Sequence, residues 1–405
     1  MPWHLASPLN FGRIAWPRSG TCDYGIPGAW PMVKHALVVA ILASLWVPGW
    51  ACAEESGEES GVGESNAFLD GLDWQVMASG FYLFNSQRVA GPYNDLNYPY
   101  ANYMGFGLNF AGGDVRYTGD KFALTLGLRW GTAASLLTAL APLKEGYASW
   151  MPHRKLRLDF GWFDTIYGAE LHDEWHNPTF THGTLYFLLQ PFNHMGLRIT
   201  ADLNDRVTLK FLVVNDFVGV GRLGGTTIDT DETPAVGGQI NIAPVDSLTL
   251  QIGYLTGSSG LNGNRAWGQF FDLIFTARIR RFTLTFNGNA TVDPPVRSGQ
   301  YEVGAALSGA MQVHDRWRVG ARVEYIAGTI ALTEGRDPDL VTVTATVRYI
   351  PVQYLVISLE PRFERAQQEI FFTRDSQTDA STGDKIADSN VYFGFVIGVS
   401  AHIGN

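Results

Sequence analysis

The chain has 405 residues, 46% of them hydrophobic and only 17% charged, with 45 glycines and a formal net charge of −10. That charge fraction is low for a water-soluble protein of this size, and an acidic balance argues against nucleic acid as a partner, which calls for basic surface. Both cysteines, Cys22 and Cys52, fall before residue 53, so everything beyond lacks a thiol for disulfides or Cys-based metal sites.

Residues 1–31 carry no targeting pattern and read as a misannotated extension ahead of the true start. Met32 opens a signal peptide over 32–53: Lys34 and His35 form the polar entry, Ala36 to Leu45 the apolar core, and Ala51-Cys52-Ala53 the small-residue cleavage site. Removal of residues 1–53 takes away Arg13, Arg18, Lys34 and Asp23, leaving 26 basic and 38 acidic residues of the original 29 and 39. Glu54 to Ala67 is acidic and rich in Gly and Ser, too poor in apolar residues to fold, and reads as a periplasmic tail.

From 68 to 405 the dominant signal has period two. Phe282, Leu284 and Phe286 alternate with Thr283, Thr285 and Asn287; Val341, Val343, Ala345 and Val347 alternate with Thr342, Thr344, Thr346 and Arg348. Successive side chains of a strand point to opposite faces, so each segment has one apolar and one polar face. About sixteen such segments are predicted, at 73–84, 104–118, 121–130, 143–151, 155–163, 194–203, 206–217, 235–243, 247–257, 267–280, 282–292, 300–313, 317–329, 340–350, 354–366 and 390–403. Gly112-Gly113 reads as a bulge.

A water-soluble sandwich would show the same alternation. The signal peptide, the repeated length of about ten residues and the alternation of short turns with long polar loops point instead to an all-β, transmembrane antiparallel barrel in the bacterial outer membrane. Aromatic residues near the segment ends suggest two interfacial girdles: Phe122, Trp150, Phe282, Trp317, Tyr349 and Tyr354 beside the short turns, and Tyr82, Trp130, Phe217, Tyr254, Trp267 and Tyr325 beside the long loops.

A barrel of this strand number is too wide for its wall side chains to fill. Alternation turns Arg129, Arg157, Asp159, Arg198, Arg278, Arg318, Arg322, Glu324, Arg348, Glu360 and Arg362 inward as candidate pore-lining residues, with structural ion-pair ladders as the plainer reading. The longest connection, 164–193, holds Tyr167, Trp175, Phe180, Tyr186, Phe187 and Phe192, too apolar for a free outer loop. It is expected to fold into the lumen, where Asp164, Glu170, Asp173, Glu174 and His176 would face the arginines and set up a transverse field. His172-Asp-Glu-Trp-His176 is not the zinc-protease motif, since Asp173 stands where its Glu belongs. Asp229-Thr-Asp231-Glu232 and Asp337-Pro-Asp339 lack a full calcium loop. No phosphate loop, nucleophile elbow or thiol constellation is visible, so no enzyme, metal or cofactor is expected.

One stretch is more specific. LRLDFGWFDTIYGAE from Leu156, and HNPTFTHGTLYFLLQPFNHMGLRITADLNDRVTLKFLVVNDF ending at Phe217, resemble the OmpL-like β-barrel porins. The matching residues are Gly161, Phe163, Gly168, Asn177, Pro178, Pro191, Phe192, His194, Gly196, Arg198, Asp205, Val214 and Asn215. Thr181-His182-Gly183 stand where Ser-Arg-Ser-like residues are usual in that family. The resemblance implies an outer-membrane porin without a cofactor, of undefined solute.

The expectation is a water-filled channel for passive diffusion of small hydrophilic solutes or ions, narrowed by 164–193. The alternative is a plugged structural barrel whose loops bind a surface partner. Outer-membrane lipid and lipopolysaccharide are the expected surroundings; a homo-oligomer is left open, since no segment reads uniquely as a subunit contact.

Overall fold

Valine, threonine and aromatic residues in strict alternation suit a pleated ribbon with one face in lipid and one face inward. They form sixteen strands: β1 (Leu72–Asn85), β2 (Gly105–Thr118), β3 (Phe122–Trp130), β4 (Leu143–His153), β5 (Leu156–Asp164), β6 (Asn193–Asn204), β7 (Val207–Val214), β8 (Ala235–Val245), β9 (Leu248–Ser258), β10 (Trp267–Ile279), β11 (Phe282–Val292), β12 (Tyr301–His314), β13 (Trp317–Gly328), β14 (Leu340–Val352), β15 (Leu355–Arg365) and β16 (Val391–Gly404). This is a computed structural model, and it describes residues 70–87, 104–134, 140–215, 217, 233–258, 267–292, 301–328, 339–378 and 386–404. The extension, signal peptide and tail expected at 1–67 lie outside the described residues, as do Asp229, Asp231, Glu232 and Asp337.

Each strand pairs antiparallel with its sequence neighbours, and β1 pairs with β16 from Gln75↔Gly404 to Asn85↔Gly394, closing the barrel. Closure leaves no unpaired edge, the condition for a sheet to cross hydrocarbon. Strand ends fall within three residues of the spans read from alternation.

The two faces are inverted relative to a soluble protein. On β14, Val341, Val343 and Val347 are exposed, whereas Thr342, Thr344, Thr346 and Arg348 are at most 2% exposed. At the short-turn end Phe122, Trp150, Phe282, Trp317 and Tyr354 are exposed, and at the other end so are Tyr82, Trp130, Tyr254, Trp267 and Tyr325. Tyr349 is half-buried, its ring 4.8 Å from that of Trp317. Phe217 departs from this outer belt. β7 ends at Val214, and Phe217 is 3% exposed in a cluster with Leu212, Leu255 and Phe270.

The bulge on β2 also sits elsewhere than expected. Ser79 faces Phe110 and Gly80 faces Leu108, so Asn109 is the inserted residue. Gly112 serves close packing instead: a Cβ there would lie 1.9 Å from the Leu128 carbonyl oxygen. A second irregularity, with Gly127 facing Glu145 and Leu128 facing Leu143, inserts Lys144 into β4.

Candidate functional site: the lumenal segment

The connection from β5 to β6 lies inside the barrel. It contains a 3-10 turn, Glu174–His176, and the short helix α1, Thr184–Leu189. Its rings and aliphatic side chains find wall positions without a side chain. Tyr167 packs where Gly237 and Gly253 leave space; an added Cβ would come within 2.4 Å of its hydroxyl and 2.7 Å of Cδ1, respectively. Phe180 lies on Gly398 of β16 and clusters with Phe81, Leu83 and Val396, while Leu185 and Leu189 of α1 press on Gly304. Toward the long-loop end, Leu185, Leu188 and Leu189 join Ile326, Leu340, Ile370, Phe371 and Tyr392 in an apolar cluster. Each large apolar side chain buried this way contributes about 1.5–3 kcal/mol of transfer free energy.

Polar anchors then fix the segment around the wall. Gly168 N–H donates to Asp272 of β10 (3.2 Å) and Ala169 N–H to the Asn287 side chain of β11 (3.0 Å). Glu170 pairs with Arg322 of β13 at 2.6 Å. Asp173 pairs with Arg129 of β3 (2.9 Å) and Lys144 of β4 (3.1 Å). Glu174 accepts from Ser400 of β16 (2.5 Å) and Asn109 of β2 (3.1 Å). Arg348 donates to the carbonyls of Glu174 (2.9 Å), Asn177 (2.7 Å) and Thr179 (2.8 Å). Glu360 accepts the backbone N–H groups of Phe180 (2.5 Å) and Thr181 (2.8 Å), and Arg362 donates to the His182 carbonyl (2.7 Å). Glu324 accepts from Leu185 N–H at 2.9 Å. A short helix and an irregular turn have many unsatisfied backbone groups, and here wall side chains satisfy them.

The segment's own titratable groups respond to this enclosure. Burial alone would raise the Asp173 carboxyl, but Lys144 and Arg129 outweigh it and hold it well below the usual carboxylate range. Glu170 and Glu174 are shifted upward, chiefly by burial; Glu174 has hydroxyl and amide partners but, among the described residues, no cation at hydrogen-bond distance. Burial pushes the His182 imidazole down to about 3; its Nε2–H donates to the Leu171 carbonyl at 2.9 Å and its ring stacks on Tyr186 at 4.5 Å.

Arg129, Arg322, Arg348 and Arg362 face the interior but are 1–2% exposed, meeting the inserted segment rather than solvent. Glu324, Glu360 and Asp159 are equally buried. Arg157 and Arg198 share Asp159, at 2.6 and 2.8 Å, and the Arg198 guanidinium lies 4.6 Å from the Phe163 ring centre. Asp164 ends β5, accepts from Asn193 at 2.8 Å, and lies 3.7 Å from both Lys144 and His172. His176 is exposed. Arg278 and Arg318 line an interior cavity. Lys144, Asp114 and Asn109 were not expected: Lys144 and Asn109 sit at bulges that shift the alternation, and Asp114, which pairs with Arg129 at 2.8 Å, lies beyond one. Among the described residues, no group of three His, Cys, Asp or Glu is placed to hold a metal.

Two cavities flank the segment. One, of about 590 Å³, runs along β7 to β13 and includes Lys210, Arg278 and Arg318; the other, of about 330 Å³, includes Asp73, Asp114 and Glu145. Asp164, Leu171, His172 and His176 line both.

A closed sixteen-strand barrel with an apolar, aromatic-belted exterior and a charged interior defines an outer-membrane porin. The chain belongs to the family described as "Putative beta-barrel porin-2, OmpL-like", whose model matches residues 71–400. Solved structures similar in fold include the anion-selective porin from Comamonas acidovorans (9% identity, TM-score 0.56, covering 82% of this chain and 99% of that one). OmpF of Salmonella typhi is similar at 11% identity and TM-score 0.55, covering 83% and 99%. The trimer form of in-vitro folded OmpT from Vibrio cholerae is similar at 14% identity and TM-score 0.54, covering 82% and 99%. No curated protein matches the chain.

Proposed function

We propose that this porin is a passive diffusion channel for small hydrophilic solutes and ions, constricted by segment 164–193, and not an enzyme. The observation that carries the reading is the spread of the segment's anchors. They reach Arg129 on β3, Asp272 on β10, Arg322 on β13, Glu360 on β15 and Ser400 on β16, so the segment crosses the lumen instead of standing outside it. Solute would pass beside it, through the flanking cavities, under fields set by wall cations and by acids on the segment. The signal peptide belongs to the same reading, with export and cleavage after Ala53; N-terminal sequencing of membrane-purified protein should begin at Glu54. The outer face would meet lipid and lipopolysaccharide, and a homo-oligomer is compatible with it. Single-channel recording in a planar bilayer tests the proposal: folded protein that gives no conductance overturns it.

The apolar packing of α1 against Ile370 and Phe371 favours a second reading, a plugged barrel that binds a surface partner through its loops. The same recording separates the two, since a plugged barrel is silent in the bilayer.

A further inference from the structure

Apart from Arg348, which is spent on backbone carbonyls, two groups of cations stand out inside this barrel. Arg129, Lys144, Arg157, Arg198, Arg322 and Arg362 each lie within 3.1 Å of a carboxylate. The side chains of Lys210 on β7, Arg278 on β10 and Arg281 in the turn after β10 make no hydrogen bond or ion pair among the described residues, and that of Arg318 on β13 reaches only the Gln312 side chain, at 3.3 Å. All four line the 590 Å³ cavity, which lies within the range of about 300–1,000 Å³ typical of small-molecule sites. Among the described residues, only two carboxylates join them. Glu170 is spent on Arg322, and Asp164 accepts from Asn193 beside Lys144.

Between the cations the wall is neutral and hydrogen-bonding: Gln251, Thr276, Thr285 and Ser308 face the same space. Amides and hydroxyls both donate and accept, which matches the hydroxyls of a sugar-like body. Uncompensated guanidinium and ammonium groups match a carboxylate or phosphate head. Arg281 belongs to a short turn, so the cavity reaches toward the short-turn mouth.

We infer that this basic vestibule is a binding site for small polyhydroxylated anions, of the sugar-acid or sugar-phosphate class, through which the channel selects its solutes. The inference rests on the channel reading for its role in passage but not for binding itself. Removing these cations strands no carboxylate, so the triple variant Lys210→Gln, Arg278→Gln, Arg318→Gln should fold, as judged by heat-modifiable gel migration; Lys210→Gln alone serves if it does not.

The test adds gluconate, glucose 6-phosphate or glucose to the full-length protein in planar bilayers at low salt, where screening is weak. At least one of the two anions should halve the ion current at a concentration about tenfold or more below glucose, and the triple variant should lose that difference. Block by gluconate but not glucose 6-phosphate assigns carboxylates, and the reverse assigns phosphate esters. Equal block by glucose, or undiminished block in the triple variant, overturns the inference. Should the wild type conduct no current, the channel reading fails by itself. Calorimetric titration of both anions into detergent-solubilised protein then decides the site: binding that the variant loses supports it, and no binding to the wild type overturns it.

Discussion

Arg318 on β13 and Arg348 on β14 face each other across one rung of the sheet, yet they sit in opposite surroundings. Arg348 is 2% exposed and gives its N–H groups to carbonyls of the inserted segment; Arg318 borders the open cavity and reaches only Gln312. The difference follows from where segment 164–193 lies. Against Arg129, Arg322, Arg348 and Arg362 it turns inward-facing cations into mortar; beside Lys210, Arg278 and Arg318 it leaves a cavity. Inward orientation is therefore not the same as lining a pore. What decides is whether the donor set is already used.

The largest effect should come from removing the segment. Replacing residues 167–190 by a short Gly-Ser linker should raise single-channel conductance several-fold, and unchanged conductance would mean that solute passes elsewhere. The register partners should separate next. Arg348→Ala strips several carbonyls of their donor, at about 1–3 kcal/mol each, whereas Arg318→Ala should stay within about 0.5 kcal/mol. Denaturant unfolding in detergent reads both, and equal losses would erase the distinction between the two sides. Gly398→Leu drives a side chain into the Phe180 ring, which a Cβ alone would approach to 2.4 Å, and should cost about 1–3 kcal/mol.

A pH effect should be confined to the packed side. His182 is held neutral by burial, with its pKa at about 3, so the unfolded chain takes up more protons between roughly pH 6.5 and 3. Stability from this group is complete above the unfolded value and is lost as pH falls through that window, with a limiting slope of about 1.4 kcal/mol per pH unit. His182→Gln should flatten the profile; an identical slope in the variant would assign it to other groups. The smallest effect is expected for Arg157→Ala with Arg198→Ala. Both guanidinium groups share Asp159, so their joint loss should move the reversal potential modestly toward cation preference, and no movement would place them off the conducting path.

The strands were legible because membrane burial outside and polar contact inside impose a strict period of two on each of them. The inserted segment was legible from one contradiction, a long connection too rich in aromatic residues for solvent. Its partners were not. Pairing of Asp173 with Lys144 depends on a bulge that turns an even-numbered residue inward, and no local pattern announces it. The seats for Tyr167, Phe180 and Leu185 are glycines on strands far away in sequence, and a glycine in a strand looks the same whether it receives a ring or eases a twist. Arg348 looked like any wall cation, because the backbone carbonyls that accept its N–H groups leave no trace in the side-chain sequence.

Glu174 holds Asn109 of β2 with one carboxylate oxygen and Ser400 of β16 with the other, while Phe180 rests on Gly398 and beside Phe81. These contacts straddle the rung where the first strand meets the last. An assembling chain still open along that rung can offer Glu174 only one of its two partners. The segment thus bridges the seam that closes the barrel, and its resistance to added protease during refolding should rise as that seam forms.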